Sequence, residues 1–192
     1  VQIANAQNID WEDIAYDDNY IYIGDFGNNN GTRTDLKIYR ISREAYLNEE
    51  NTSVSAEVIS FNYADQTDFS TGTLATAYDA EALIAKGDSL YIFTKDWAEQ
   101  KTAVYPVPKI PGDYELTKID SLEIGGWVSG ADICPQTQKI TLIAYNVLSP
   151  MLITISDYEG NAFSQGDVQI SVLQPLTGYS YQIEGVAFIN PN

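Results

Sequence analysis

Acidic side chains recur beside apolar anchors along this chain, and carboxylates gathered in such a repeat can bind a cation or transfer protons. The anchors are Ile14, Leu83 and Ile133, and a second apolar run begins seven residues after each of them. The acids that precede the anchors by one or two residues are Glu12, Asp13, Glu81 and Asp132, and Glu184 opens a fourth, incomplete copy.

The spacing of these copies predicts a repeat fold. The successive anchors Ile14, Leu83, Ile133 and Val186 are separated by 69, 50 and 53 residues, and a period near 50 is typical of radial or linear repeats. We therefore expect one domain over residues 1–192, with units at about 8–62, 79–124 and 129–173 and an incomplete unit at 182–192. Such a repeat would bring the acids to equivalent positions of successive units.

Each complete unit contains four short runs that are rich in β-branched and aromatic residues and bounded by Gly, Asn, Asp or Pro. The runs are 13–15, 20–23, 36–41 and 58–61; 82–85, 90–93, 103–105 and 118–122; and 132–133, 140–143, 152–155 and 168–172. Four antiparallel strands per unit predict an all-β fold, a partial β-propeller of about three full blades, with a β-sandwich as the competitor. Residues 1–6 are expected to be an outer strand of a preceding blade, and Ser42 an N-cap of one short helix.

The charge and the amino-acid composition of the chain argue against several classes of function. The formal net charge is −17, with a pI of about 4.1, which disfavours binding to nucleic acid. No apolar run is long enough to span a membrane, and no signal peptide is visible. The chain has no histidine, which excludes a Ser-His-Asp triad and His-ligated metal sites, and Cys134 is its single cysteine.

The propeller geometry predicts one shared site. The inner strands begin, and the second strands end, on the same face of a propeller, so side chains from successive blades form one shallow funnel there. The residues expected to line it are Glu12, Asp25, Glu81, Lys95, Trp97, Asp132, Tyr145 and Glu184.

Converging carboxylates repel one another unless a cation lies among them or some of them hold a proton. Calcium accepts carboxylate, carbonyl and amide oxygens and needs neither His nor Cys, so Glu12, Asp25, Glu81 and Glu184 are a candidate calcium-ligand set. The loop 24–31 is rich in such oxygens, although its Asn and Gly residues also fit a hairpin turn.

The order of several short motifs resembles that of secreted bacterial propellers, common in Bacteroidetes. The motifs are Asn8–Ala15, Tyr22–Asn29, Tyr78–Ala82, Leu90–Trp97, Ser129–Asp132 and Gln182–Val186. The resemblance implies an extracellular, cell-surface or periplasmic location, and further blades or a partner chain at the open edges. The chain is more distantly similar to gluconolactonase, phytase-like and NHL-type propellers, which implies a divalent cation at the channel mouth, and Glu12, Glu81, Asp132 and Glu184 fall at equivalent positions.

Two functions follow from these expectations. The favoured one is a binding or scaffold module whose funnel engages a glycan, a peptide or an envelope protein. The alternative is a divalent-metal-dependent hydrolase of a lactone, ester or phosphate ester, in which the cation polarises the substrate and activates water. Because propellers host many activities, the fold alone leaves open whether the protein is an enzyme.

Overall fold

The computed structural model describes residues 1–70, 72–173 and 182–189. Their strands are β1 (Gln2–Ile3), β2 (Trp11–Tyr16), β3 (Tyr20–Asp25), β4 (Lys37–Ser42), β5 (Ser53–Val54), β6 (Ala56–Tyr63), β7 (Asp79–Lys86), β8 (Ser89–Lys95), β9 (Lys101–Pro108), β10 (Gly112–Leu116), β11 (Asp120–Glu123), β12 (Trp127–Ile133), β13 (Ile140–Tyr145), β14 (Pro150–Ser156) and β15 (Asp167–Val172). A short helix α1 (Arg43–Leu47) and a 3₁₀ turn (Phe163–Gln165) complete the described secondary structure. The all-β prediction is confirmed, and each of the twelve predicted runs lies within or overlaps a strand.

The strands form three large sheets, one for each complete repeat. Sheet 1 has the order β10-β6-β4-β3-β2, sheet 2 the order β11-β9-β8-β7, and sheet 3 the order β12-β13-β14-β15. Neighbouring strands within each sheet are antiparallel, except that β10 adds to β6 in parallel. The described residues do not form a closed ring of sheets.

Apolar side chains are buried between successive sheets. Tyr22, Ile38 and Ile59 of sheet 1 pack with Leu83 and Ile92 of sheet 2. A second cluster continues from the other face of sheet 2 into β13 and β14 of sheet 3. The sheets are therefore stacked face to face along the chain, and sheet 2 is covered on both sides.

The first strands of the three sheets, β2, β7 and β12, contact one another. The Asp13 carboxylate joins them, because its Oδ2 accepts hydrogen bonds from the backbone N–H groups of Leu83 (2.8 Å) and Ala131 (3.2 Å). Acids far apart in the sequence are thus brought around a common centre.

Sheet 1 leaves part of one face uncovered. Ile14 on this face is 59 % exposed, whereas Leu83, the matching anchor of sheet 2, is 1 % exposed. The N-terminal segment lies against part of the same face: β1 pairs in parallel with β5, and the Asn5 side chain bonds both the N–H and the C=O of Ala56. Residues 1–6, expected to be a strand of a preceding blade, therefore pair within the first unit.

The single predicted helix is present. Its N-cap is Ser42, whose Oγ accepts a hydrogen bond of 3.2 Å from the Ala45 N–H. No helix in the described part of the chain combines the length and the apolar character needed to cross a membrane.

Candidate functional site

Three β-bulges give the inner strands their common geometry. The pairing register shifts between Trp11 and Asp13, between Ala80 and Ala82, and between Val128 and Gly130. The extra residues at these points are Glu12, Glu81 and Ser129. A bulge turns the extra side chain out of the regular alternation, so Glu12 and Glu81 occupy equivalent positions. The third equivalent is Ser129, and Asp132 lies three residues further along β12.

Glu81 and Lys95 form a buried ion pair. The pairing of β7 with β8 sets Asp79 opposite Lys95, which brings the Lys95 Nζ to 2.6 Å from the Glu81 Oε1. The Lys95 and Glu81 side chains are 1 % and 5 % exposed. Burial raises the pKa of Glu81 to about 7. The positive charge of Lys95 lowers this pKa, whereas the negative charges of Asp79 and Glu184 raise it further. Burial lowers the pKa of Lys95, but the Glu81 carboxylate and Tyr145 together more than offset this, so the net shift is upward.

Three half-buried aromatic side chains adjoin this ion pair, and we call them the aromatic ledge: Trp97, Trp127 and Tyr145. The ring centroids of Trp97 and Trp127 are 5.3 Å apart, and those of Trp127 and Tyr145 are 5.7 Å apart. The Lys95 ammonium lies 4.3 Å from the Trp97 centroid and 4.9 Å from the Tyr145 centroid.

Hydrogen bonds fix the edges of the ledge. The Trp97 indole N–H donates to the Asp79 Oδ2 at 2.8 Å, and the Trp127 indole N–H donates to the Trp97 C=O at 3.3 Å. Asp79 is itself held, because its Oδ1 accepts from the Asn28 N–H at 2.6 Å. With the indole N–H groups satisfied within the protein, the ring surfaces are what the ledge offers to a ligand.

Glu12 lies among carboxyl groups. Burial, together with the charges of Glu81, Asp10 and Asp79, raises its pKa to about 9, so it holds its proton at neutral pH. A side-chain hydrogen bond to Asp10 contributes in the same direction. Gly27 leaves room for this pair, since a Cβ there would lie 2.3 Å from the Glu12 Oε1 and 2.5 Å from the Asp10 Oδ2.

Asp25, another predicted site residue, forms an ion pair with Arg33. Its side chain is fully buried, and its Oδ1 accepts from the Arg33 Nη2 at 3.2 Å and from the Asp10 N–H at 3.0 Å. The Lys37 Nζ lies 3.9 Å from its Oδ2. Asp25 therefore anchors the loop that follows β3.

Asp132 and Glu184 take different positions. The Asp132 carboxylate accepts from the N–H groups of Ile133 (2.8 Å) and Phe188 (2.7 Å), and so ties β12 to the segment 182–189. Glu184 is exposed, and its charge helps to raise the pKa of Glu81, so it lies near the ion pair. The structure thus gathers Glu12, Glu81, Lys95, Trp97, Tyr145 and Glu184, whereas the carboxylate of Asp25 is bonded to Arg33 and that of Asp132 to Phe188.

The same contacts divide the candidate calcium-ligand set. Glu81 pairs with Lys95 and Asp25 with Arg33, which leaves Glu12 and Glu184. Within residues 1–70, 72–173 and 182–189, no group of three or more His, Cys, Asp or Glu side chains is arranged to hold a metal ion.

Sequence reasoning missed Asp10, Asp79 and Trp127. Each lies two residues before the bulge residue of its strand, at Glu12, Glu81 and Ser129. The repeated Asp-x-Glu motif, Asp10-Trp11-Glu12 and Asp79-Ala80-Glu81, could have identified Asp10 and Asp79 from the sequence. Trp127 has no such signal, because an aromatic residue replaces the acid in the third unit.

Comparisons with known proteins add little. No protein-family model and no curated protein matches the chain. Among solved structures, "Structure of RS223-Beta-xylosidase" is similar with a TM-score of 0.42 and 13 % sequence identity, over 96 % of this chain and 60 % of that one. The chain thus spans 60 % of the length of that β-xylosidase, and a likeness this weak carries neither its fold nor its activity over. The resemblance to secreted propellers stays a prediction.

Proposed function

We propose that the chain is part of a β-propeller module, outside the cell or at its surface, that binds a glycan on the aromatic ledge. The arrangement of the sheets supports the propeller. Three sheets follow one another with their first strands in mutual contact, and each first strand carries a bulge at the same point. Rotation about the centre marked by Asp13 relates such units.

The ledge is the observation that carries the proposed function. Trp97, in the turn after β8, contacts Trp127 of β12, which in turn contacts Tyr145 of β13, and the three rings form one half-buried aromatic cluster. Aromatic rings present a large apolar face to the C–H groups of a sugar ring, and carboxyl groups beside them accept hydrogen bonds from its hydroxyls. Glu12 and Glu184 supply such groups here.

The ledge is also preorganised. Lys95 packs against two of the three rings, and Asp79 fixes the indole of Trp97. Because the rings are held before a ligand arrives, binding costs little side-chain ordering. A surface of this kind fits a hydroxylated ligand with an apolar C–H face, which describes a pyranose.

Binding to an array of neutral and charged oligosaccharides tests this function. We expect binding by the unmodified protein, and a loss of roughly tenfold or more in affinity for Trp127→Ala, since a central aromatic anchor contributes about 2 kcal/mol or more. The matched control is Tyr46→Ala, which removes an exposed aromatic ring of α1, outside the ledge. Silence across the array, or equal binding by Trp127→Ala, would overturn the proposal.

A further inference from the structure

The ring faces of the ledge already hold one cation. The ammonium of Lys95 lies over the rings of Trp97 and Tyr145, at 4.3 and 4.9 Å from their centroids. Attraction between an ammonium and the negative face of an aromatic ring is strongest when water is excluded, and Lys95 is 1 % exposed. The local chemistry therefore favours positive charge.

Carboxyl groups around the ledge outnumber its one cation, although Glu12 among them holds a proton at neutral pH. Five carboxyl groups belong to this neighbourhood: Asp10, Glu12, Asp79, Glu81 and Glu184. Lys95 is paired with Glu81, and no ion pair in the described part of the chain joins a Lys or Arg to Asp10, Glu12, Asp79 or Glu184. The protein as a whole adds to this field with a net charge of −17.

A second, independent observation concerns the oxygen atoms of Glu81. Its Oε1 accepts from Lys95, but its Oε2 is buried and has no hydrogen-bond partner among the described residues. The Glu81 side chain is 5 % exposed, and a buried carboxylate oxygen without a donor is costly. A donor brought by a ligand would remove that cost.

We propose that the ligand of the aromatic ledge is an amino sugar, whose protonated amine lies between the ledge and its carboxyl groups while the pyranose ring stacks on Trp127. This inference rests on the proposed glycan-binding function and names the sugar class. The ammonium supplies several N–H donors to carboxyl groups that lack a cation, beside aromatic rings that already attract the Lys95 ammonium. Uronic acids and sulfated sugars carry the opposite charge and are rejected.

Three β-1,4-linked hexasaccharides test the inference: those of glucosamine, N-acetylglucosamine and glucose. Their ring stereochemistry and linkage are the same, and they differ in the group at carbon 2. Isothermal titration calorimetry close to pH 7, at which Glu81 is still partly ionised and the amine partly protonated, should give an affinity roughly tenfold higher for the glucosamine oligomer than for the other two. Added salt should reduce the affinity for the glucosamine oligomer more than the affinity for the other two.

Variants separate the charge contribution from the stacking contribution. Glu184→Gln removes an exposed carboxylate beside the ledge and should reduce the preference for glucosamine while the affinity for the glucose oligomer is unchanged. Glu44→Gln, in α1, should leave all three affinities unchanged. Trp127→Ala should reduce the affinity for all three oligomers to a similar extent.

The two proposals fail in different ways. Equal affinities for the three oligomers, or a preference that Glu184→Gln leaves intact, would overturn the amino-sugar inference and leave glycan binding standing. If none of the three binds and the oligosaccharide array is silent as well, the glycan-binding function itself is overturned, and the inference falls with it.

Discussion

Glu12 is the residue whose surroundings differ most from those of an ordinary surface carboxylate. Its neighbours Asp10, Asp79 and Glu81 are all acids, and the nearby Lys95 is taken by Glu81. Desolvation and like charge both oppose ionisation, and together they raise the pKa of Glu12 from 4.5 to about 9. The folded protein therefore holds a proton at neutral pH that the unfolded chain has released.

This proton gives a testable pH dependence. Between pH 4.5 and about 9 the folded state binds one proton more than the unfolded state, so stability falls as pH rises through that window. Glu81 and Asp13, whose pKa values are raised to about 7, contribute with the same sign only below that value. From about 7 to 9, Glu12→Gln should therefore flatten the decline in the free energy of unfolding measured with urea.

The size of that effect is bounded. One proton accounts for at most about 1.4 kcal/mol per pH unit, and less here because Glu12 is half-buried and solvent screens part of its interaction. Glu44→Gln is the control and should keep the slope of the unmodified protein. An identical slope for Glu12→Gln would show that Glu12 ionises normally.

At the level of elements, the inner strands are held together by side chain-to-backbone hydrogen bonds as well as by packing. Asp13 serves three strands: its Oδ1 accepts from the Ile14 N–H at 2.8 Å, and its Oδ2 accepts from Leu83 and Ala131. Asp132 makes the corresponding contact from β12 to Phe188. The bulges just before these acids set the register in which the contacts form.

Replacing Asp13 with Asn should weaken the contact among β2, β7 and β12. The amide has one acceptor oxygen and turns an N–H donor towards backbone N–H groups, so at least one of them loses its partner. We expect a loss of about 1–3 kcal/mol in the free energy of unfolding, measured by urea denaturation. Asp18→Asn, at an exposed position between β2 and β3, should have no comparable effect. Equal midpoints for both variants would show that the Asp13 contacts contribute little.

Sequence patterns located the elements better than the contacts between them. The β-branched and aromatic runs predicted twelve of the thirteen strands in the three large sheets, because half-buried strands favour such residues. They did not predict β10, since its addition to β6 is a contact between units. The anchor spacing matched Ile133 with Leu83, but the bulge in β12 makes Ala131 the residue that bonds Asp13. Asp25 looked like a site residue, and only the fold brings Arg33 to it.

For the molecule as a whole, the repeated units are not equally covered. Sheet 2 lies between two neighbours, whereas an apolar groove of about 460 Å³ remains on sheet 1, lined by Val1, Ile3, Ile14, Tyr16, Ile21, Ile23, Ile41, Arg43 and Tyr46. Equivalent positions of the repeat thus differ in burial, so the same substitution can be compared at a buried and at an exposed position.

Matched truncations of the anchors measure this difference. Leu83→Ala should cost about 2–5 kcal/mol in the free energy of unfolding, because it leaves a cavity between two sheets. Ile14→Ala should cost less than about 1 kcal/mol, because Ile14 is 59 % exposed. Both values come from urea denaturation of the same protein. An equally large loss for Ile14→Ala would mean that another sheet or a partner covers that face in solution.

The parallel strand β10 determines how this chain can be divided. It leaves the second unit to lie along β6 of the first, and nearby Arg40 bonds the Lys109 C=O while Lys109 pairs with Asp17. If the first repeat were expressed alone, it would lack β10. The backbone N–H and C=O groups along the edge of β6 would then be free to pair with another molecule. Truncation at a boundary chosen from the sequence period would therefore yield a fragment prone to aggregation, because β10 is lost together with the second repeat.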